Sequence, residues 1–140
     1  MDSGNRVNNT QTTLCIPAGA DAVSHGVAAA RGFALGAALS QHPAARLAII
    51  VEELLFNLID HAGLAEGAAI EMTLVLDAGT IRLTLIDPAP PFDPRLMLAP
   101  DTLPPERGGG AGLAMLRAWA QVERYDRDGD RNILVLSLPG

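Results

Sequence analysis

The chain has 140 residues, one cysteine, and sixteen acidic residues against ten basic ones, for a net charge of −6. A single domain of this length buries about 68–70% of its unfolded surface, so it needs no disulfide or metal to hold a core. All ten basic residues are arginine, which removes the lysine that a Walker-type P-loop places on the terminal phosphates. The net acidity and an aromatic content of 4% exclude nucleic acid and anionic membrane as main partners.

The lone Cys15 leaves no multi-cysteine metal site and suits a reducing compartment. No apolar run reaches the ~20 residues of a membrane span, and the polar start MDSGNRVNNTQTT is not a signal peptide. A cytoplasmic protein is expected, with residues 1–9 disordered and a single domain over 10–140.

Thr10 to Pro17 reads as a first strand. Asp21 is the expected N-cap of an Ala-rich helix, VSHGVAAARGFALGAAL, ending near Ser40. Pro43 stands near the start of a second helix, whose Leu47, Ile50, Val51, Leu54, Leu55 and Leu58 form an inward face. Ile49, Phe56 and Ile59 lie on its other sides, which predicts a mostly buried helix. Within it, Glu53, Asn57 and His61 recur every four residues. Each step of four turns the side chain only about 40° beyond a full circle, so the three form one polar stripe. Such a stripe costs stability unless the fold needs it; a solvated glutamate is its ordinary explanation, but an asparagine must find partners for both ends of its amide.

IEMTLVLD and TIRLTLID alternate with period two, pointing Ile70, Met72, Leu74 and Leu76, and then Ile81, Leu83 and Leu85, to one face around a hairpin turn at Asp77–Gly79. Asp87 ends the second run, where a carboxylate is costly unless it accepts hydrogen bonds. It can receive the exocyclic amine of adenine, or merely start a proline turn in DPAPPFDP. Residues 88–112 hold seven of the ten prolines and four of the fourteen glycines, a composition expected of a long functional loop. In RGGGAGLAMLRAWA, Gly108, Gly110 and Gly112 lead into a helix predicted over 113–121. There backbone N–H groups and the helix dipole can cradle phosphates. VERYDRDGDRNILVLSL is a last hairpin, turning at 128–130. The order β, α, α, β, β, loop, α, β, β implies an α+β fold: a two-layer sandwich of a mixed, mainly antiparallel sheet with helices on one face.

Taken together, Glu-x-x-x-Asn-x-x-x-His on a helix, a strand-end Asp turning into Phe-Asp-Pro, and Gly-x-Gly-x-Gly-Leu opening a helix resemble the Bergerat ATP-binding fold of DNA gyrase and histidine kinases. PPFDP, ERGGGAGL and VERYDRDGDRN are similar to its anti-sigma factor serine/threonine kinase branch. The resemblance spans roughly residues 10–138. It implies that Asn57 ligates Mg2+, that Glu53 is the general base, and that Asp87 holds the adenine of ATP in a pocket that includes Ala89. It also implies that Gly108, Gly110, Gly112 and Leu113 wrap the phosphates beneath a lid over 95–107. His61 supports the helix end, while Glu52 and Asp60 are peripheral. The implied activity is phosphorylation of a small anti-sigma-factor-antagonist-like protein on serine. The implied binding partner is a sigma factor or response regulator, and a homodimer is allowed.

The chain departs from the family's pattern at Ala89 and Pro91, where glycines are usual, and at Val135, where a threonine near adenine is expected; Ser137 faces the same way as Val135. Ala89 and Val135 favour a second reading, a module that sequesters a partner with weak or no ATP turnover. A third reading, the catalytic domain of a histidine kinase, requires a preceding dimerising hairpin for which the chain leaves no room. His25 is expected to be an ordinary helix residue.

Overall fold

The computed structural model describes residues 11–60, 62–91 and 117–140. They form β1 (Gln11–Pro17), α1 (Ala22–Gly36), α2 (Gln41–Asp60), β2 (Ala69–Asp77), β3 (Thr80–Asp87), β4 (Gln121–Asp128) and β5 (Arg131–Pro139). The five strands make one sheet in the order β1-β2-β3-β5-β4. Every pairing among the described strands is antiparallel. Both helices cover one face of the sheet, giving the expected α+β sandwich.

The alternation in the strands sets which residues meet the helices. Ile70, Met72, Leu74, Ile81, Leu83 and Leu136 are fully buried and join Leu47, Ile50, Val51 and Leu55 of α2 in the core. The opposite face mixes half-buried Val75, Ile86, Ile133 and Val135 with polar residues and carries exposed ion pairs, Arg131–Glu71 at 2.9 Å and Arg82–Glu123 at 3.6 Å. Pairs of this kind contribute about 0–1 kcal/mol each, so burial on the helix side holds the sheet in place. The β2–β3 hairpin turns through Ala78 (φ 52°) and Gly79 (φ 81°), the two left-handed residues that match strand twist in a two-residue turn.

α1 differs from the sequence expectation at both ends. Asp21 occupies the N-cap position, but its side chain makes no capping bond; instead Ser24 Oγ donates to the Asp21 carbonyl at 3.1 Å. The helix stops at Gly36 rather than near Ser40. The Leu39 N–H donates to Ala34 O at 2.9 Å and the Ala38 N–H to Leu35 O at 3.1 Å, around Ala38 at φ 56°. That is a Schellman cap with alanine in the position glycine normally takes. Within α1, Gly26 faces α2, where an added Cβ would run into Leu55 Cδ1 and come within 3.3 Å of Val51 Cγ1. The missing side chain is what lets the two helices approach.

The inward face of α2 is as expected, but the helix is not buried all round. Phe56 exposes 43% of its surface, and Ile49 and Ile59 are only partly covered. One sheet and two helices cannot enclose a third side of α2. The predicted helix over 113–121 is described only from Arg117 to Trp119; Gln121 instead begins β4, paired with Ser137. The Arg46 guanidinium lies 5.4 Å from the Trp119 ring centroid, docking the entry to β4 onto the first half of α2. No helix among the described residues is long and apolar enough to cross a membrane.

Candidate functional site

Two groups of side chains carry the chemistry, one on α2 and one where β3 ends. On α2 the stripe stands at the border between the core face and the uncovered side. Asn57 is buried, at 8% exposure, on a helix face that is otherwise apolar. Glu53, one turn earlier, is half-buried, but its Oε2 is shielded from solvent and has no hydrogen-bond partner. Residues four apart on a helix place their Cβ atoms roughly 6 Å from each other, so both polar ends can reach one ligand. Burial, and secondarily the neighbouring Glu52 carboxylate, hold the Glu53 carboxyl above its ordinary value. A carboxylate left without a partner in this way is a cost to the fold, and an acceptor ready for a proton.

At the end of β3, Asp87 is 4% exposed and points to the helix side of the sheet, in phase with Ile81, Leu83 and Leu85. Its Oδ1 accepts the Ala89 N–H at 2.9 Å and an Asn132 Nδ2 hydrogen at 3.0 Å. The first bond is the turn that an aspartate closes on its own backbone two residues on, across Pro88, which has no N–H to give. Oδ2 accepts no hydrogen bond from a described residue. Ala89 is fully buried and belongs to the core cluster. Its methyl is therefore packed against the core and does not stand out from the turn.

The structure corrects the position of Val135. In the β3–β5 register Asp87 faces Asn132 and Leu85 faces Leu134, whereas Val135 lies opposite Thr84 on the other face of the sheet. Ser137 shares that outer face. A side chain on the outer face does not reach a ligand held by Asp87, so Val135 removes no contact there. With period-two alternation the side chain of Val135 faces away from that of Asp87.

Sequence reasoning missed Asn132, Arg127 and Tyr125, which surround Asp87 and Ala89. Arg127 Nη1 donates to Ala89 O at 2.7 Å and to Asn132 Oδ1 at 3.0 Å, and the Tyr125 hydroxyl donates to Asn132 Oδ1 at 2.6 Å. A signal for Asn132 was present: it shares the phase of Leu134, Leu136 and Leu138, where a polar residue is out of place. His61, Gly108, Gly110, Gly112, Leu113, Pro94 and the 95–107 segment lie outside the described residues, as do residues 1–9.

Residues 16–138 match the family profile of the histidine kinase-like ATPase domain. The chain belongs to that family. Its sandwich is the Bergerat ATP-binding fold, an architecture built to hold a nucleotide. The chain is also similar to a chain in the crystal structure of the SiaB–SiaC complex from Pseudomonas aeruginosa, with a TM-score of 0.58 and 14% identity over 91% of this chain and 88% of that one. At that identity the likeness is one of fold. No curated protein sequence matches the chain.

The residues present fit a magnesium nucleotide. Among the described residues no group of three or more His, Cys, Asp or Glu could cage a metal. Magnesium on a nucleotide does not require such a cage, because it takes one or two protein ligands beside phosphate oxygens and water. The amide oxygen of the buried Asn57 is a donor atom of the kind that arrangement uses, and Asp87 Oδ2, which accepts no hydrogen bond from a described residue, suits the base rather than the metal.

Proposed function

We propose that this histidine kinase-like ATPase domain is an ATP-dependent serine/threonine protein kinase acting as a regulatory switch of the anti-sigma type. Its substrate is a seryl hydroxyl on a small antagonist protein, and a sigma factor or response regulator is the partner it holds. The observation that carries this reading is Glu53: a shielded carboxylate oxygen without a partner, one helical turn from a buried asparagine. The likeness to a chain of the SiaB–SiaC complex supports a protein partner.

In this reading Asn57 holds the magnesium ion and Asp87 the adenine amino group, with Gly108, Gly110, Gly112 and Leu113 about the phosphates. Bound ATP supplies the phosphoryl group, and magnesium neutralises the charge on its oxygens. Glu53 takes the proton from the seryl hydroxyl as that oxygen bonds to the γ-phosphorus and the bond to the β-bridging oxygen breaks. Burial raises the affinity of Glu53 for that proton, which moves a weak base toward the working pH. The pair on α2 thus serves both halves of the reaction: one residue orients the donor and the other activates the acceptor.

Calorimetric titration with ATP and magnesium, on the wild type and on Asn57→Ala, tests the site. Magnesium-dependent binding that disappears in the variant is expected, followed by transfer of labelled phosphate to a serine of a bound antagonist. Wild-type protein that binds no ATP at near-millimolar concentration would sink the reading and leave the partner-sequestering module in its place.

A further inference from the structure

Asn132 is the hub of the polar network below Asp87, and its orientation follows from its neighbours. A guanidinium group only donates and a main-chain carbonyl only accepts. The amide oxygen of Asn132 therefore faces Arg127 and the Tyr125 hydroxyl, at 3.0 and 2.6 Å. Its nitrogen faces Asp87 Oδ1, Ala89 O and Pro90 O, at 3.0, 3.2 and 3.1 Å. With both ends committed, the amide cannot rotate, and an N–H is always presented to Asp87. Asn132 is 3% exposed, so no water competes for these bonds.

The consequence falls on the aspartate. Oδ1 already receives two N–H groups, from Ala89 and Asn132, and is spent. Among the described residues nothing donates to Oδ2, which is left to accept from a ligand, in an orientation its carboxylate plane cannot leave without breaking both bonds. We infer that Asn132 is the positioning residue that turns Asp87 into a fixed single acceptor, and that it thereby sets the preference for a purine with an amino group at the recognised position over one with an oxo group. An amino group donates to Oδ2; an oxo group would set oxygen against oxygen with no hydrogen between them. Arg127 and Tyr125 act through Asn132, and Arg127 also pins the backbone carbonyl of Ala89. The inference rests on the nucleotide reading above and adds what selects the base.

The test is the dissociation constants of magnesium-ATP and magnesium-GTP, measured on the full chain for wild type, Asn132→Leu and Arg127→Ala, with thermal unfolding beside each. Wild type is expected to prefer ATP. Asn132→Leu should weaken ATP by about tenfold, the cost of leaving buried polar partners unsatisfied, and GTP by much less, so that the ratio narrows. Arg127→Ala lies on an exposed strand position and keeps the fold; it should narrow the ratio by roughly threefold. It carries the test if Asn132→Leu does not fold. A role that was only structural would weaken both nucleotides together and leave the ratio unchanged, which would overturn the inference. So would a wild type that binds ATP and GTP alike. A wild type that binds neither would instead overturn the nucleotide reading, and this inference with it.

Discussion

Replacing Glu53 by methionine should make the protein more stable and inactive at once. The side chains have similar length and nearly equal helix propensity, so the substitution leaves α2 intact. It removes the shielded Oε2 that has no partner. A buried polar atom left unsatisfied costs about 1–3 kcal/mol, and because Glu53 is only half-buried the lower end applies, about 1 kcal/mol. For a domain of this size that corresponds to a rise in melting temperature of about 4 °C. The gain depends on pH with a definite sign. The folded state keeps the Glu53 proton over a range where the unfolded chain has already lost it. The destabilisation is therefore fully present above the raised folded pKa and disappears as pH falls toward the ordinary value of 4.5. Wild type and variant should differ most at pH 8 and converge near pH 4. Phosphoryl transfer should fall at least about 100-fold, the contribution of a general base, and the acid limb of the wild-type rate profile should lie above the usual carboxylate range. Calorimetric unfolding at several pH values, with a phosphate-transfer assay, measures all of this. A variant less stable than wild type at pH 8 would refute the reasoning, since Glu53 would then be a stabilising group with a partner.

Three further substitutions follow from the geometry. Asp87→Asn should weaken ATP binding by about 10- to 100-fold in calorimetry, because the charged acceptor is lost where one oxygen is already committed. Gly26→Ala gains about 1 kcal/mol in helix propensity but forces a methyl onto Leu55, which is fully buried and has nowhere to move; overpacking costs about 1–3 kcal/mol, and denaturant unfolding should show a net loss. Ala38→Gly should stabilise by about 0.5–1 kcal/mol: relief of the left-handed backbone, about 1–2 kcal/mol, exceeds the entropy glycine adds to the unfolded chain. An unchanged unfolding midpoint would show that Ala38 is not strained in its cap.

Much of the fold was legible because it is written locally. Period-two alternation in IEMTLVLD and TIRLTLID, with a turn at Asp77–Gly79, is enough to define a hairpin and its buried face, since each side chain's direction follows from its neighbour's. The inward face of α2 and the stripe of Glu53 and Asn57 follow in the same way from a period of 3.6. Helix ends were less legible. Asp21 looked like a capping side chain and is not one, and the helix it opens stops at Gly36 because Ala38 takes a left-handed conformation that its residue type does not announce.

What the sequence alone determined was the residue types, their phase on each element, and the motif spacing that marks a histidine kinase-like ATPase domain. Tertiary structure decided the relations between elements distant in the chain. β3 and β5 are separated by more than forty residues, and no local rule sets their register; only their pairing puts Asn132 opposite Asp87 and sends Val135 to the other face. Likewise, the absence of a partner for Glu53 Oε2 is a property of everything packed around α2, not of α2 itself. Covalent neighbours determine which way a side chain points, whereas what it meets there depends on contacts that form only when the sheet and helices close on one core.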